Sequence, residues 1–328
     1  MNTPNISVIM SCYNAERWLA ETIESVLAQS WKDFEFIIVN DGSTDQTLSI
    51  VQMYGSKDLR IVILDKRNTG LADSLNCGIR VARGCWVARI DADDLCDILR
   101  LEKQLNFVLK NPDVVLLGSG FKEIDANHIH IKNHHYPKKN QQLIRRLERL
   151  RGFFPHSSAF FRLDIAKQLG GYRTVIKRAE DWDLWLRFSE RGNIACLSEL
   201  LVSIRKHEEQ ISNEAGGFSQ LVDVHIATTS YFLRRSNIED PTAYTKNEKI
   251  AEFIIWIIKV MEDNHVYNRR CIWQAARAEL LAQHNRTNGI FRFFLYIVGS
   301  GQAFSLFREK LLGSNLPEKF AKDYMRLM

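Results

Sequence analysis

The sequence predicts an α/β fold, a mostly parallel central sheet flanked by helices, followed by an α-helical C-terminal extension. Three observations predict it. Over the first 120 residues, short β-branched runs alternate with segments whose apolar residues recur at helical spacing, the order that builds strand–helix–strand units. The strand-like runs are continuously apolar, so both of their faces are expected to be covered. Each run also ends in a polar cluster, as strands do where a parallel sheet opens onto a ligand crevice.

Residues 6–10 (ISVIM) read as the first buried strand. Asn14 offers an N-cap to a helix carrying Trp18, Leu19, Ile23, Val26 and Leu27 at helical spacing. Residues 34–39 (FEFIIV) form the second strand and 44–54 the next helix; 61–64 (IVIL) and 71–82 repeat the pair. Residues 86–90 are the fourth strand, 98–109 a helix and 114–117 (VVLL) the fifth strand. A hairpin excursion follows over 118–137, with Gly118 and Gly120 before it and Pro137 after. A helix over 138–150, a strand over 157–161, a Gly170-Gly171-Tyr172 turn and an amphipathic helix over 181–190 complete this part. Gly216-Gly217 marks a boundary. Beyond it the pattern is helical, over about 219–236, 245–263, 267–284 and 288–311.

Composition narrows the function classes. The 328 residues are 45% hydrophobic and 25% charged, enough for a sizeable core and about two domains. Cysteines 12, 77, 85, 96, 196 and 271 show no C-x-x-C pair and no zinc spacing, so buried thiols in a reducing compartment are expected. Strand-like residues begin at Ile6, which argues against a signal peptide. No run of 18 apolar residues predicts a membrane-spanning helix. Residues 132–151 carry seven Lys/Arg against one Glu, within a chain of net charge +5. The stretch has one aromatic residue, Tyr136, too few for a single-stranded nucleic-acid groove. A solvated helix face and a contact with anionic phosphate or membrane both remain open.

The strand ends carry the chemistry. They are Ser11-Cys12-Tyr13-Asn14, NDGSTD at 40–45, Asp65-Lys66-Arg67-Asn68 and Asp91-Ala92-Asp93-Asp94. Three carboxylates in four positions repel one another and are costly to desolvate. A hard divalent ion relieves this and bridges carboxylate to phosphate. Asp41 suits a base imide or a ribose hydroxyl, although Asp41 and Ser43 would also cap the helix behind them. Neither G-x-G-x-x-G nor G-x-x-x-x-G-K is present, so a diphosphate would rest on the D-x-D metal and on basic groups such as Arg67. AEDWDLWLR at 179–187 places three acids at a helix start. The helix dipole alone would favour them there; Glu180 or Asp181, partly desolvated among tryptophans, would also serve as general base for a sugar hydroxyl. Arg205-Lys206-His207 would contact phosphate or metal, or else be ordinary surface and core residues.

In combination and order, SVIMSCYNAERWL, IIVNDGSTDQT, NTGLADSLNCGI and ARIDADD resemble the inverting glycosyltransferases of family 2, which have the GT-A fold. PHSSAFFR at 155–162, GGYR at 170–173, AEDWDLWLR and SIRKHEEQIS at 203–212 extend the resemblance over residues 4 to 213. It implies a catalytic domain over 1–215, with a donor-binding half of about 1–120 and an acceptor half of about 121–215, before a helical extension over 216–328. Tyr13, Asn14 and Glu16 would lie around the nucleotide base, and Asp41 would hold the uracil. Arg67 and Asn68 would flank ribose or diphosphate. Asp91 would contact ribose, Asp93 a Mg2+ or Mn2+ ion, and Asp94 the donor sugar or metal. Asp181, beside Glu180, would be the catalytic base, and His207 would approach the metal or diphosphate. Relatives often carry another small residue at position 12.

The implied reaction moves a sugar from a nucleotide donor, often UDP-linked, to a glycan or polyprenyl-diphosphate-linked saccharide of the bacterial surface. Such an enzyme would be cytoplasmic, with peripheral membrane contact as an open alternative. Residues 253–258 are apolar all round a helix, and 293–307 are uncharged between Arg292 and Arg308; burial against the catalytic domain or interfacial docking would account for them. Two other functions use parts of this pattern. A haloacid-dehalogenase phosphatase also follows a strand with D-x-D, yet needs a hydroxyl residue where Leu95 and Cys96 stand. A non-catalytic glycan- or lipid-binding module would have little use for both Asp93 and Asp181.

Overall fold

In the computed structural model, residues 4–207, 218–243, 248–264, 266 and 315–327 are described. The chain forms two compact units, Met1–Arg145 with Phe153–Gly216, and Arg146–Gly152 with Gly217–Met328. The first holds β1 (Ile6–Cys12), α1 (Leu19–Leu27), β2 (Phe34–Asp41), α2 (Thr47–Gly55), β3 (Ile61–Lys66), α3 (Leu71–Val81), β4 (Trp86–Arg89) and β5 (Leu95–Cys96). Then come α4 (Arg100–Lys110), β6 (Val114–Asp125), β7 (His130–His134), α5 (Asn140–Glu148, of which Arg146 onward counts to the second unit), β8 (Phe160–Arg162), α6 (Leu163–Gln168), α7 (Glu180–Ser189) and β9 (Asn193–Lys206).

The strands form one sheet in the order β3-β2-β1-β4-β8-β6-β9-β5, with β7 paired to β6. β1 to β4 are parallel neighbours. The three-residue β8 runs antiparallel to both β4 and β6, which leaves β6 and its parallel partner β9 pointing the same way as β1. β5 and β7 reverse direction. The sheet is thus mostly parallel, as predicted, with β5, β7 and β8 as its antiparallel members. Its common direction brings the carboxyl ends of β1 to β4 and of β9 to one edge. The apolar strands explain the layering: Ile6, Val8, Met10, Phe36 and Ile38 pack with Leu19, Ile23 and Val26 of α1 and with Leu101, Leu105 and Val108 of α4.

Several expected boundaries shift, each for a local reason. Asn14 does not cap α1, which starts at Leu19. Asn14 sits at φ 48° and commits its Oδ1 to Thr44 N at 2.9 Å, while its own N–H donates to Ser43 Oγ. α2 starts at Thr47, because Asp45 Oδ1 accepts Thr47 N at 3.0 Å and turns the chain first. Neither Asp41 nor Ser43 caps it. The fifth strand runs on to Asp125, with register shifts around Gly120; a Cβ at Gly118 would collide with the Phe154 ring. Cys12 and Cys196 are buried as expected, Cys77 and Cys96 are half-buried, and Cys85 is exposed, since it precedes β4 instead of lying in it. These five thiols are unbridged; Cys271 lies outside the described residues.

In the second unit, α8 (Phe218–Arg235), α9 (Glu248–Asp263) and α10 (Leu316–Leu327) are described. Phe253 and Trp256 of α9 pack on Phe320 and Tyr324 of α10. The 253–258 run is therefore buried on one side only: Phe253 and Ile257 are enclosed and Ile255 is exposed. The expected helices over 267–284 and 288–311, and the uncharged stretch 293–307, lie outside the described residues. Among the described residues, no helix is long and apolar enough to cross a membrane.

α7 is anchored by a buried ion pair. Arg187 Nε donates to Asp183 Oδ2 at 2.9 Å, and the same guanidinium donates to Leu169 O and Gly171 O beyond α6. The third acid of AEDWDLWLR is thus a support for the helix that carries the other two. Removing one partner strands a buried charge, which costs about 3–5 kcal/mol. Asp183→Ala is therefore expected to lower stability by that amount in a urea denaturation, and a midpoint equal to wild type would refute this role.

Candidate active site

The loops after β1, β2 and β3 are laced together. Ala15 N donates to Thr47 Oγ1, Glu16 N to Asp45 Oδ2, and Gln46 N to Glu16 Oε2 at 2.8 Å. Gly42, at φ 71°, lets the loop after β2 lie against the one after β3, where a Cβ would come within 2.7 Å of Asn68 N. Asp41 is buried at the end of β2. Its Oδ1 accepts Lys66 Nζ at 2.5 Å and Thr69 N at 2.9 Å, and its Oδ2 accepts Gly70 N at 2.9 Å. Burial pushes its pKa up, but these donors win and hold it below the usual carboxylate range. The Ser74 hydroxyl of α3 also acts on this carboxylate and lowers its pKa. Tyr13, Asn14, Glu16, Arg67 and Asn68 are exposed around this point.

The D-x-D turn after β4 assigns its three acids different surroundings. Asp91 is paired with Arg89, a fully buried guanidinium in β4, and accepts from Ser157 Oγ at 2.9 Å. Burial would raise its pKa, but the Arg89 charge and hydrogen bond lower it and win. Asp94 is 2% exposed and turned away from the crevice. Its Oδ1 accepts Arg205 N at 3.0 Å and its Oδ2 lies 2.5 Å from Ser157 Oγ. Burial, then the charges of Asp93 and Asp91, push its pKa well up. Ser157 Oγ thus lies between the two carboxyls and accepts from Arg89 Nη1 and Asp91 N. Asp94, expected to contact donor sugar or metal, has both oxygens hydrogen-bonded within the protein.

Asp93 points the other way, with its Oδ2 2.9 Å from His207 Nε2 at the end of β9. Arg205 is fully buried beneath the turn. It donates to Asp93 O and Glu21 Oε2 and stacks 4.2 Å above the Trp18 ring. It supports the backbone and does not reach out to phosphate, as Arg205-Lys206-His207 had suggested. Among the described residues, no group of three His, Cys, Asp or Glu side chains is placed to hold a metal ion. The close approach of one carboxylate oxygen and one imidazole nitrogen fits a divalent ion that completes its shell with substrate phosphate and water.

Glu180 and Asp181 occupy the first turn of α7. Glu180 is 8% exposed, and burial with the neighbouring Asp181 charge pushes its pKa up to about 8. Asp181 is partly exposed and accepts Trp182 N at 2.7 Å; burial raises its pKa as well. Arg89 and Asp91 act on both acids, which places the acid pair and the D-x-D strand end in one electrostatic neighbourhood. The sequence reading gave no role to three groups found there. Arg89 is one; His156 and Tyr172, joined Nε2 to hydroxyl at 2.7 Å, are the others. PHSS and GGYR were visible as motifs, but 16 residues apart they carried no sign of pairing.

Residues 7–170 match the model described as Glycosyl transferase family 2. The putative glycosyltransferase EpsE of Bacillus subtilis is 38% identical over 225 residues, covering 66% of this chain and 78% of that protein. The O-antigen biosynthesis glycosyltransferase WbnJ of Escherichia coli is 33% identical over 214 residues, covering 64% and 83%. S. aureus TarS 1-349 in complex with UDP-GlcNAc superimposes with a TM-score of 0.58 at 19% identity, over 97% of this chain and 88% of that one. The mannosyltransferase PcManGT from Pyrobaculum calidifontis, in complex with GDP-Man and Mn2+, gives 0.54 at 16% identity, over 95% and 88%. At such identities these structures share the fold, that of GT-A enzymes. By sequence, fold and the order of its strand-end motifs, the chain belongs to glycosyl transferase family 2.

Proposed function

We propose that this glycosyltransferase moves a sugar from a UDP-sugar, with inversion and with Mg2+ or Mn2+, onto a saccharide or polyprenyl-diphosphate-linked saccharide in surface-polysaccharide biosynthesis. The observation that carries the reading is the meeting of the Glu180–Asp181 pair with the D-x-D strand end in one electrostatic neighbourhood. Catalysis resides in residues 1–215, with donor binding in about 1–120, and 216–328 form the extension. The UDP-GlcNAc complex of TarS and the O-antigen role in the name of WbnJ support the donor and acceptor classes. An acceptor on a lipid carrier would bring the protein to the cytoplasmic face of the inner membrane, where the basic 132–151 stretch suits anionic headgroups.

The nucleoside sits among Tyr13, Asn14 and Glu16, and its base imide faces Asp41. Arg67 and Asn68 flank ribose and diphosphate, and the exposed edge of Asp91 meets the ribose. Asp93 and His207 would hold the divalent ion, which when bound neutralises charge on the diphosphate. Asp181 takes the proton of the acceptor hydroxyl. The acceptor oxygen bonds to the anomeric carbon as the bond to the diphosphate oxygen breaks on the opposite face. UDP leaves with the electron pair, and this single displacement inverts the centre. Glu180 keeps its proton, so the base carries one negative charge instead of two.

Three outcomes follow. Asp181→Ala is expected to lower kcat by about 10²–10⁴-fold, the usual worth of a general base, with UDP affinity near wild type; normal turnover would exclude Asp181 from proton transfer. Asp93→Ala should abolish the metal stimulation of UDP binding seen in wild-type calorimetry, and EDTA should reproduce that loss in wild-type protein. Only ionised Asp181 accepts a proton, and burial raises its pKa. Activity should therefore fall as pH drops through a value above the ordinary carboxylate midpoint of about 4. An acid limb of the kcat–pH profile at or below that point would contradict the desolvated base.

A further inference from the structure

The geometry points to the His156–Tyr172 pair as a specificity-determining element that hydrogen-bonds a hydroxyl of the donor sugar. This rests on the reading of the chain as a UDP-sugar transferase. The pair lies among the charged groups that flank the reacting centre: Arg89 and Asp91 act on both of its members, and Glu180 and Asp181 act on Tyr172. The imidazole is held between the Tyr172 ring, at 5.4 Å between centroids, and the edge of Trp185 from α7, at 5.8 Å.

Its frame belongs to the donor-binding loops. His156 directly precedes Ser157, which holds Asp91 and Asp94. Tyr172 is clamped at its backbone by Asn76 of α3: Tyr172 N donates to Asn76 Oδ1 at 2.7 Å, and Asn76 Nδ2 donates to Tyr172 O at 2.8 Å. Gly171, at φ 71°, permits this approach, since a Cβ there would collide with Asn76 Oδ1. α3 in turn begins at the Thr69-Gly70 turn that Asp41 holds. Both partners are thus fixed relative to the nucleotide.

The pair is also electrically neutral. Burial, then the Arg89 charge, push the His156 pKa well down, and burial with the nearby acids pushes that of Tyr172 well up. The 2.7 Å bond uses Nε2 and leaves Nδ1 as the second polar atom of the neutral imidazole. Among the described residues, Nδ1 has no hydrogen-bond partner, and the side chain is partly exposed. A neutral imidazole nitrogen can exchange a hydrogen bond with a sugar hydroxyl, which both donates and accepts, without adding charge to the site.

The test compares affinities for UDP and for the UDP-sugar that wild-type protein turns over fastest in a donor panel, with melting temperatures measured alongside. His156→Ala should lose about tenfold in affinity for the UDP-sugar, the worth of a strong neutral hydrogen bond, while UDP affinity and the acid limb of the pH profile stay put. His156→Asn, which retains a polar atom near the Nδ1 position, should recover part of the loss. Tyr172→Phe, which removes the partner of Nε2, should show a smaller loss of the same kind. If UDP and UDP-sugar affinities fall together, or neither changes, the pair does not read the sugar and the inference is overturned. A wild-type protein that turns over no UDP-sugar at all would overturn the UDP-sugar reading itself, a result distinct from a working wild type with unchanged variants.

Discussion

Two buried guanidinium groups make the acidic edge of this sheet possible. Arg89 within β4 and Arg205 at the end of β9 are 1% and 0% exposed, positions that are costly for a charge unless it is well paired. Their partners are the acids and carbonyls of the D-x-D turn. Without them, Asp91, Asp93 and Asp94 would repel one another and the turn would open. With them, the pKa values of Asp91 and His156 are held down and one carboxylate, Asp93, remains directed outward. The electrostatics of the candidate site therefore start one layer below its surface.

Much of this was legible in the primary structure, and what was not has common causes. Continuous apolar runs revealed the parallel strands, because burial on both faces leaves a one-dimensional trace. NDGSTD, D-x-D and the acids of 179–187 stood out because strand ends and helix starts rarely collect such charge. The direction of the strand predicted over 157–161 was hidden, since three residues of β8 look the same whichever way they run. Arg89 and Arg205 were hidden because a charged side chain at a strand end reads as solvated. Asn14 satisfied every local rule for a cap but found a better tertiary partner in the loop after β2. Asp94 could not be told from Asp93 by spacing; only burial separates them.

The loops after β1, β2 and β3 show how a site without a glycine-rich phosphate cradle gains rigidity. Backbone N–H groups of one loop end on side-chain oxygens of another: Asn14 on Ser43, Ala15 on Thr47, Glu16 on Asp45 and Thr44 on Asn14. Each loop is held by its neighbour's side chains, so no single segment must be ordered by the ligand. Preorganisation of this kind leaves less conformational entropy to lose on binding.

The Asn76 clamp has a mechanical meaning. From Gly70 to Asn76 is six residues of helix, roughly 9 Å, with Asp41 gripping one end and Tyr172 the other. α3 acts as a rigid spacer gauge: it fixes how far Asp41 stands from the His156–Tyr172 pair. An engineer who remodels the loop after β2 to accept another base would also displace Tyr172 through this helix. Under the proposed roles, base choice and sugar alignment would not be independent dials, and retuning one would call for compensating changes along α3.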